Sequence, residues 1–245
     1  MKVSHVVTAV NNNPLYTRFI PSFIKLWKEV YPSIQVVIVF IGTDVPQDLI
    51  PYKEHIVLQA PIEGVHDVFL AQTIRLLYPA LIQSDHGVLI TDMDMLPGRS
   101  SFFTDCVKDI QDNQFVSVRG GESNQLYMCY NVATPKTWSD VFGIKNNLDI
   151  VDFMKRFNAP CDGVHGGTGW FNDQLILYYM VSRWTEKQNR FVVLNDQSTG
   201  FTRLNVHHHH YDFGRLKQLY RSQLYADCHL YACECPWSAK ELMQI

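Results

Sequence analysis

Apolar residues come in short runs separated by polar turns, and their spacing alternates between the period of a strand and that of a helix. Val3–Val10 is rich in β-branched residues and ends in Asn11-Asn12-Asn13-Pro14, so it reads as a strand followed by a polar turn. Leu15–Tyr31 carries Phe19, Phe23, Ile24, Leu26, Trp27 and Val30 at helical spacing, and Pro32 stops it. Gln35–Ile41 is a nearly unbroken β-branched run, the pattern of a strand covered on both faces in a parallel sheet. A weaker strand at His55–Gln59 and a helix at Val68–Ile82 follow, and then the apolar strand Gly87–Thr91 runs directly into Asp92-Met93-Asp94.

The second half is less regular. Strands are expected over Phe115–Val118, Leu126–Val132 and Phe191–Leu194, and helices over Trp138–Phe142, Ile150–Phe157, Trp170–Arg183 and near Leu216–Tyr225. A glycine-rich loop spans Gly163–Gly169. The β–α–β–α–β order predicts an α/β fold, a mostly parallel central sheet flanked by helices and joined by right-handed crossovers. No repeat or linker interrupts it, so a single domain over residues 1–245 is expected.

Composition narrows the function. With 47% hydrophobic and 18% charged residues the 245-residue chain is an ordinary packed domain, which excludes intrinsic disorder. Lys and Arg number 21 against 24 Asp and Glu, so there is no basic excess to neutralise a nucleic acid, and no such partner is expected. No apolar run approaches the roughly 18 residues of a membrane-spanning helix. The N-terminus enters the first strand without a signal-like segment, so a cytoplasmic location is expected. The six cysteines, Cys106, Cys129, Cys161, Cys228, Cys233 and Cys235, are expected as reduced thiols. Cys228, His229, Cys233 and Cys235 lack the paired Cys-x2-Cys spacing of a structural zinc site.

The candidate chemistry is concentrated after the strand at Gly87–Thr91. In an open α/β sheet, ligands bind beyond the carboxyl ends of the strands, and Asp92 and Asp94 stand there at i, i+2. Two carboxylates beside an apolar strand repel each other, and a divalent cation relieves that repulsion. Short oxygen ligands suit Mg²⁺ or Mn²⁺ with positions left open for phosphate.

These residues resemble the GT-A fold nucleotide-sugar glycosyltransferases. Several stretches are similar to family 8 glycosyltransferases and to their small stand-alone relatives. Ile74-Arg75-Leu76-Leu77-Tyr78-Pro79 resembles the Arg-and-Pro helix before the DxD strand. Tyr130-Asn131-Val132 with Trp138 resembles the Asn…Trp strand after it. His229, followed at i+7 and i+8 by Pro236-Trp237, keeps the late His motif. Two positions depart: Ala232 stands where the motif has Gly, and Cys235 where it has a phosphate-binding Lys.

The resemblance implies a Rossmann-like single domain. Residues 1–100 would form a nucleotide-binding half ending in DxD, and residues 101–245 a half that completes the acceptor and metal sites. It implies transfer of a sugar from a UDP- or GDP-type nucleotide diphosphate sugar to a hydroxyl of a glycan or glycoprotein acceptor, with Mn²⁺, or Mg²⁺, as cofactor. Asp94 and His229 would ligate the metal, and Asp92 would touch the metal or the ribose. Arg75 would be a second cation for the diphosphate. Thr8 and Asn11, at the end of the first strand, would hold the nucleoside. In the loop after Asp162, Trp170 would stack on a sugar ring and the glycines would let the backbone approach a ligand. Asp173 would be the general base if the enzyme inverts and would position the sugar if it retains.

His207–His210 offers a substitute for His229. Adjacent histidines on a strand point to alternate faces, so His208 or His210 is the reserve third ligand. Two other classes remain. A haloacid dehalogenase-like phosphoryl-transfer enzyme also has a DxD after an apolar strand. It needs the pair on the first strand, however, with Thr or Val where Leu96 stands. A non-catalytic sugar- or metal-binding module would bind a ligand without releasing a nucleotide diphosphate.

Overall fold

The computed structural model describes residues 1–184, 190–206 and 212–245. His207–His210, the reserve ligands, lie outside the described residues. The first half follows the periodicity closely: β1 (Val3–Asn11), α1 (Pro14–Thr17), α2 (Ile20–Val30), β2 (Gln35–Ile41), β3 (Ile56–Gln59), α3 (Asp67–Leu77) and β4 (Gly87–Ile90). Two helices end earlier than their apolar pattern, for the same physical reason. The expected helix over Leu15–Tyr31 is split in two at Pro21, and α3 gives way at Tyr78-Pro79 to a 3-10 turn over Tyr78–Leu81. A proline inside a helix has no N–H to donate, and its ring crowds the carbonyl four residues back.

The seven-stranded sheet has the order β10-β6-β9-β4-β1-β2-β3, where β6 is Phe115–Ser117, β9 is Asn131–Ala133 and β10 is Phe191–Val193. β1 pairs in parallel with both β2 and β4, while β9 runs antiparallel between β4 and β6. The chain builds outward from β1 through β2 to β3, then crosses back to lay β4 on the other side of β1. That reversal opens a crevice beyond the carboxyl ends of β1 and β4, where open α/β sheets bind their ligands.

Alternation along the strands serves two cores. Val6, Val10, Ile38, Phe40 and Leu89 pack on one face with Phe23 and Trp27 of α2. Val7, Val39, Ile41, Val88 and Ile90 pack on the other with Phe69, Leu70 and Ile74 of α3. Trp138 lies on α5 (Pro135–Phe142), which Thr134 caps and Gly143 ends, and its indole N–H donates to the Val88 carbonyl at 3.1 Å, fastening that helix to β4. α4 is Ser100–Asp105, β7 (Gly121–Glu122) pairs with β8 (Gln125–Leu126), and beyond α6 (Asn147–Phe157), α7 (Asn172–Arg183) packs against α3.

A second sheet, absent from the periodicity, has the order β11-β12-β5: Arg203–Asn205, Asp227–His229 and Met95–Pro97. Its strands are three residues each, too short to show alternation. It fixes the site, because β12 pairs antiparallel with β5 and sets His229 opposite Met95, one residue from Asp94. Among the described residues no helix is long and apolar enough to cross a membrane.

Candidate functional site

A cavity of about 660 Å³ opens at the carboxyl ends of β1 and β4. Arg75, Asp92, Asp94, Trp170, Asp173 and His229 all line it, although they come from four separate stretches of chain. Asn11 lines it too. Thr8 does not: it is fully buried, and alternation along β1 turns it inward with Val6 and Val10. The end of β1 therefore reaches the cavity through Ala9, Val10 and Asn11, with Asn13 beyond them, rather than through Thr8.

Arg75 organises the acidic end. It is 8% exposed and its guanidinium lies between two carboxylates, in close contact with Asp92 through Nη1 and with Asp173 through Nη2 at 2.5 Å. Its remaining donors reach the carbonyls of Gln72 and Thr91. Burial alone would lower its pKa, but the two carboxylates outweigh that and raise it above its ordinary value.

Asp173 is 2% exposed. It sits in the first turn of α7, two residues after the N-cap Phe171. Its Oδ2 faces Arg75 and its Oδ1 accepts the Gln174 N–H at 2.8 Å. Burial pushes its pKa up, with Arg75 pulling the other way.

Asp94 is oriented from the small sheet. Its Oδ2 accepts the Ala232 N–H at 3.0 Å and lies 3.7 Å from His229 Nε2. Its main-chain carbonyl accepts the Leu230 N–H at 3.1 Å. Burial works to raise the Asp94 pKa, yet His229 and the Ala232 amide prevail and bring it down to about 2. The His229 ring stacks on Tyr231 with centroids 3.7 Å apart.

Two ligands bonded to one small cation at about 2.1 Å stand no more than about 4.2 Å apart, and Asp94 and His229 satisfy that at 3.7 Å. The expected trio is nevertheless not assembled. Among the described residues no three His, Cys, Asp or Glu side chains gather as a metal site. Arg75 is the reason, since it draws the Asp92 carboxylate to itself. Asp92, Asp94 and Asp173 line this end of the cavity with one guanidinium, which pairs with Asp92 and Asp173 and leaves Asp94 to His229 and the Ala232 amide. Nor, among the described residues, do Cys228, His229, Cys233 and Cys235 gather into such a group. The described cysteines are free thiols, with Cys228 and Cys235 buried.

The glycine-rich loop differs from expectation in what its glycines do. A Cβ on Gly167 would stand 2.8 Å from both carboxylate oxygens of Asp162, and one on Gly169, at φ +79°, would stand 2.3 Å from the Pro160 carbonyl oxygen. The glycines are required by the loop's own closure, which Asp162 holds by accepting the amides of Val164 and Thr168. Trp170 lines the cavity, with the His165 ring centred 4.4 Å from its own. The Asn131 side chain is buried and donates to the carbonyls of Tyr127 and Met128, which shapes the turn beneath the cavity.

The sequence reading missed the opposite wall: Arg119, Tyr127, Phe201, Arg203 and Asn205. Of these, only Arg203 and Asn205 are reached through the small sheet. Arg119 follows β6 and Phe201 lies between β10 and β11, where no local pattern marks them, and Tyr127 lies in the expected strand Leu126–Val132, which a turn divides into Gln125–Leu126 and Asn131–Ala133.

No protein-family model matches the chain, and no curated protein sequence matches it. Solved structures do. The chain is similar to the glycosyltransferase GlyE of Streptococcus pneumoniae TIGR4, at 16% identity over 97% of this chain and 56% of that one, with a TM-score of 0.54. It is similar to the galactosyltransferase LgtC, solved with donor and acceptor sugar analogues, at 12% identity over 98% and 94% of the two chains, with a TM-score of 0.51. The bifunctional glycosyltransferase WbbM matches at 12% identity over 99% of this chain and 49% of that one, with a TM-score of 0.50. The chain thus spans little more than half of GlyE, and it has the GT-A fold these transferases share.

Proposed function

We propose that the chain is a divalent-metal-dependent glycosyltransferase moving a hexose or deoxyhexose from a nucleotide diphosphate sugar to a hydroxyl acceptor. One observation carries the reading: Asp92, Asp94 and Asp173 line one end of the cavity with a single arginine, Arg75, which pairs with Asp92 and Asp173, while Asp94 lies 3.7 Å from His229. Such an end repels a diphosphate and attracts a cation that can bridge to it. Residues 1–100 serve the donor, and residues 101–245 complete the metal and acceptor sites.

Asp94 and His229 are the metal ligands of this proposal, and Asp92 is the third ligand or the ribose contact. Mn²⁺ is preferred over Mg²⁺ because an imidazole joins the carboxylates. The bound ion supplies Lewis-acid stabilisation of the charge that grows on the departing diphosphate. Every other contribution comes from the chain. Asn11 and the end of β1 hold the nucleoside, and Trp170 packs on the sugar. Arg75 offers cationic charge to the diphosphate side. Asp173, with both oxygens engaged, acts as a positioning residue that fixes Arg75 and the donor sugar. That is the role expected for retention of configuration.

A thermal-shift panel of nucleoside diphosphates, with and without Mn²⁺, tests the reading. Stabilisation by one base, and only with the ion, is expected; at a ligand concentration of about 100 Kd it amounts to about 2.7 kcal/mol. Equal stabilisation without the ion contradicts the metal role, and no stabilisation by any nucleotide contradicts the donor.

A further inference from the structure

The cavity extends past the acidic end to a wall that the donor chemistry leaves unused. Arg119 follows β6, and Arg203 lies on β11. Their guanidinium carbons lie 4.1 and 5.2 Å from the centroid of the same ring, Phe201. Each guanidinium is held along one edge by a carboxylate. Arg119 donates through Nε and Nη2 to Asp196 at 2.9 and 2.8 Å. Arg203 donates through Nε to Asp227 at 2.8 Å and makes a closer contact through Nη2, which also reaches Cys129 Sγ at 3.2 Å. That leaves Nη1 of both arginines without a hydrogen-bond partner among the described residues, on side chains 15% and 12% exposed that line the cavity.

The counter-charges are unequal to the task of silencing this wall. Asp227 is fully buried and also accepts the Tyr130 hydroxyl at 2.8 Å, so its charge is shared away from the cavity. Asp196 is 45% exposed, and water screens it. What lines the cavity here, beside the half-exposed Asp196, is a pair of guanidinium groups over one ring, each clamped along one edge. A planar guanidinium fork presented this way selects carboxylate or phosphate oxygens over neutral hydroxyls.

We propose that this wall is an acceptor subsite for a sugar bearing an anionic group, a carboxylate or a phosphate. The assignment to the acceptor rests on the donor occupying the acidic end; the preference for an anion does not. If the arginines only knit β6, β10, β11 and β12 together, no such preference exists.

Ligand-observed NMR on the full chain, with Mn²⁺ and UDP or GDP present, separates the cases. The probes are glucuronate, glucose 6-phosphate, glucose and inorganic phosphate. At least one anionic sugar is expected to bind about tenfold more tightly than glucose. The preferred member of the pair identifies the group as carboxylate or phosphate. Arg119→Gln should remove the difference. Asp196→Asn, which removes the negative charge held against Arg119, should widen it severalfold, whereas a purely structural pair predicts a narrower or unchanged difference. Equal affinity for glucose and both anionic sugars overturns the proposal, as does inorganic phosphate binding as well as glucose 6-phosphate. Full competition by UDP in the absence of Mn²⁺ also overturns it, because the arginines would then serve the donor phosphates. If neither nucleotide binds with Mn²⁺ while the anionic preference persists, the donor reading fails and the anionic subsite stands.

Discussion

Arg75 and Arg119 face the same cavity, yet their side chains are in opposite states. Arg75 is sealed between Asp92 and Asp173, with its donors taken by carboxylates and main-chain carbonyls. Arg119 has a single, partly exposed carboxylate and an edge left over. The difference shows that an arginine in a cavity is not by itself an anion site; what counts is which N–H groups the fold has already used. At the acidic end the carboxylates outnumber the cation, and the deficit is positive charge. On the far wall charge is balanced on paper, but two guanidinium groups line the cavity, each clamped along one edge.

Removing each arginine in turn sharpens the contrast. Arg75→Ala strands the buried carboxylate of Asp173 and the half-buried one of Asp92, and urea unfolding should show a loss of about 3–5 kcal/mol. A loss below about 1 kcal/mol would mean that the acidic end is better hydrated than its burial indicates. Acid titration of stability should give the next effect. Asp94 ionises at about 2 in the folded chain against an ordinary 3.8, so the folded state favours its charged form. The resulting stability, about 2 kcal/mol, is fully present above the unfolded value and is lost as pH falls through the folded one. Asp94→Asn should flatten that part of the profile, and an unchanged profile would refute the assignment. Arg119→Gln should be the mildest change, costing at most about 1 kcal/mol, because its partner is solvent-screened. A loss as large as that of Arg75→Ala would erase the distinction between the two ends.

The parts of this arrangement that could be read from the sequence are those encoded locally. β1, β2 and β4 are continuous apolar runs, and Asp92 and Asp94 follow β4 directly, so strand and carboxylates announce each other. Pro21 and Pro79 altered the helix ends through a rule that could have been applied to the sequence. The small sheet was hidden because three-residue strands carry no period, and with it went the reason His229 meets Asp94; that residue was reachable only through resemblance. Asp173 was legible as important but not as the partner of Arg75, since 98 positions separate them. Arg119 and Asp196, 77 positions apart, meet only because β6 and β10 pair in parallel. Charged pairs across a sheet edge leave no signature along the chain.

The central claim is that Asp94 holds a divalent cation that donor binding requires. Electron paramagnetic resonance of Mn²⁺ measures this directly, because the signal of the free ion falls as the ion binds. The account predicts one ion taken up per chain, more tightly with the matching nucleoside diphosphate, and affinity lower by at least about 100-fold in Asp94→Ala. Uptake by Asp94→Ala equal to that of the parent chain would contradict it.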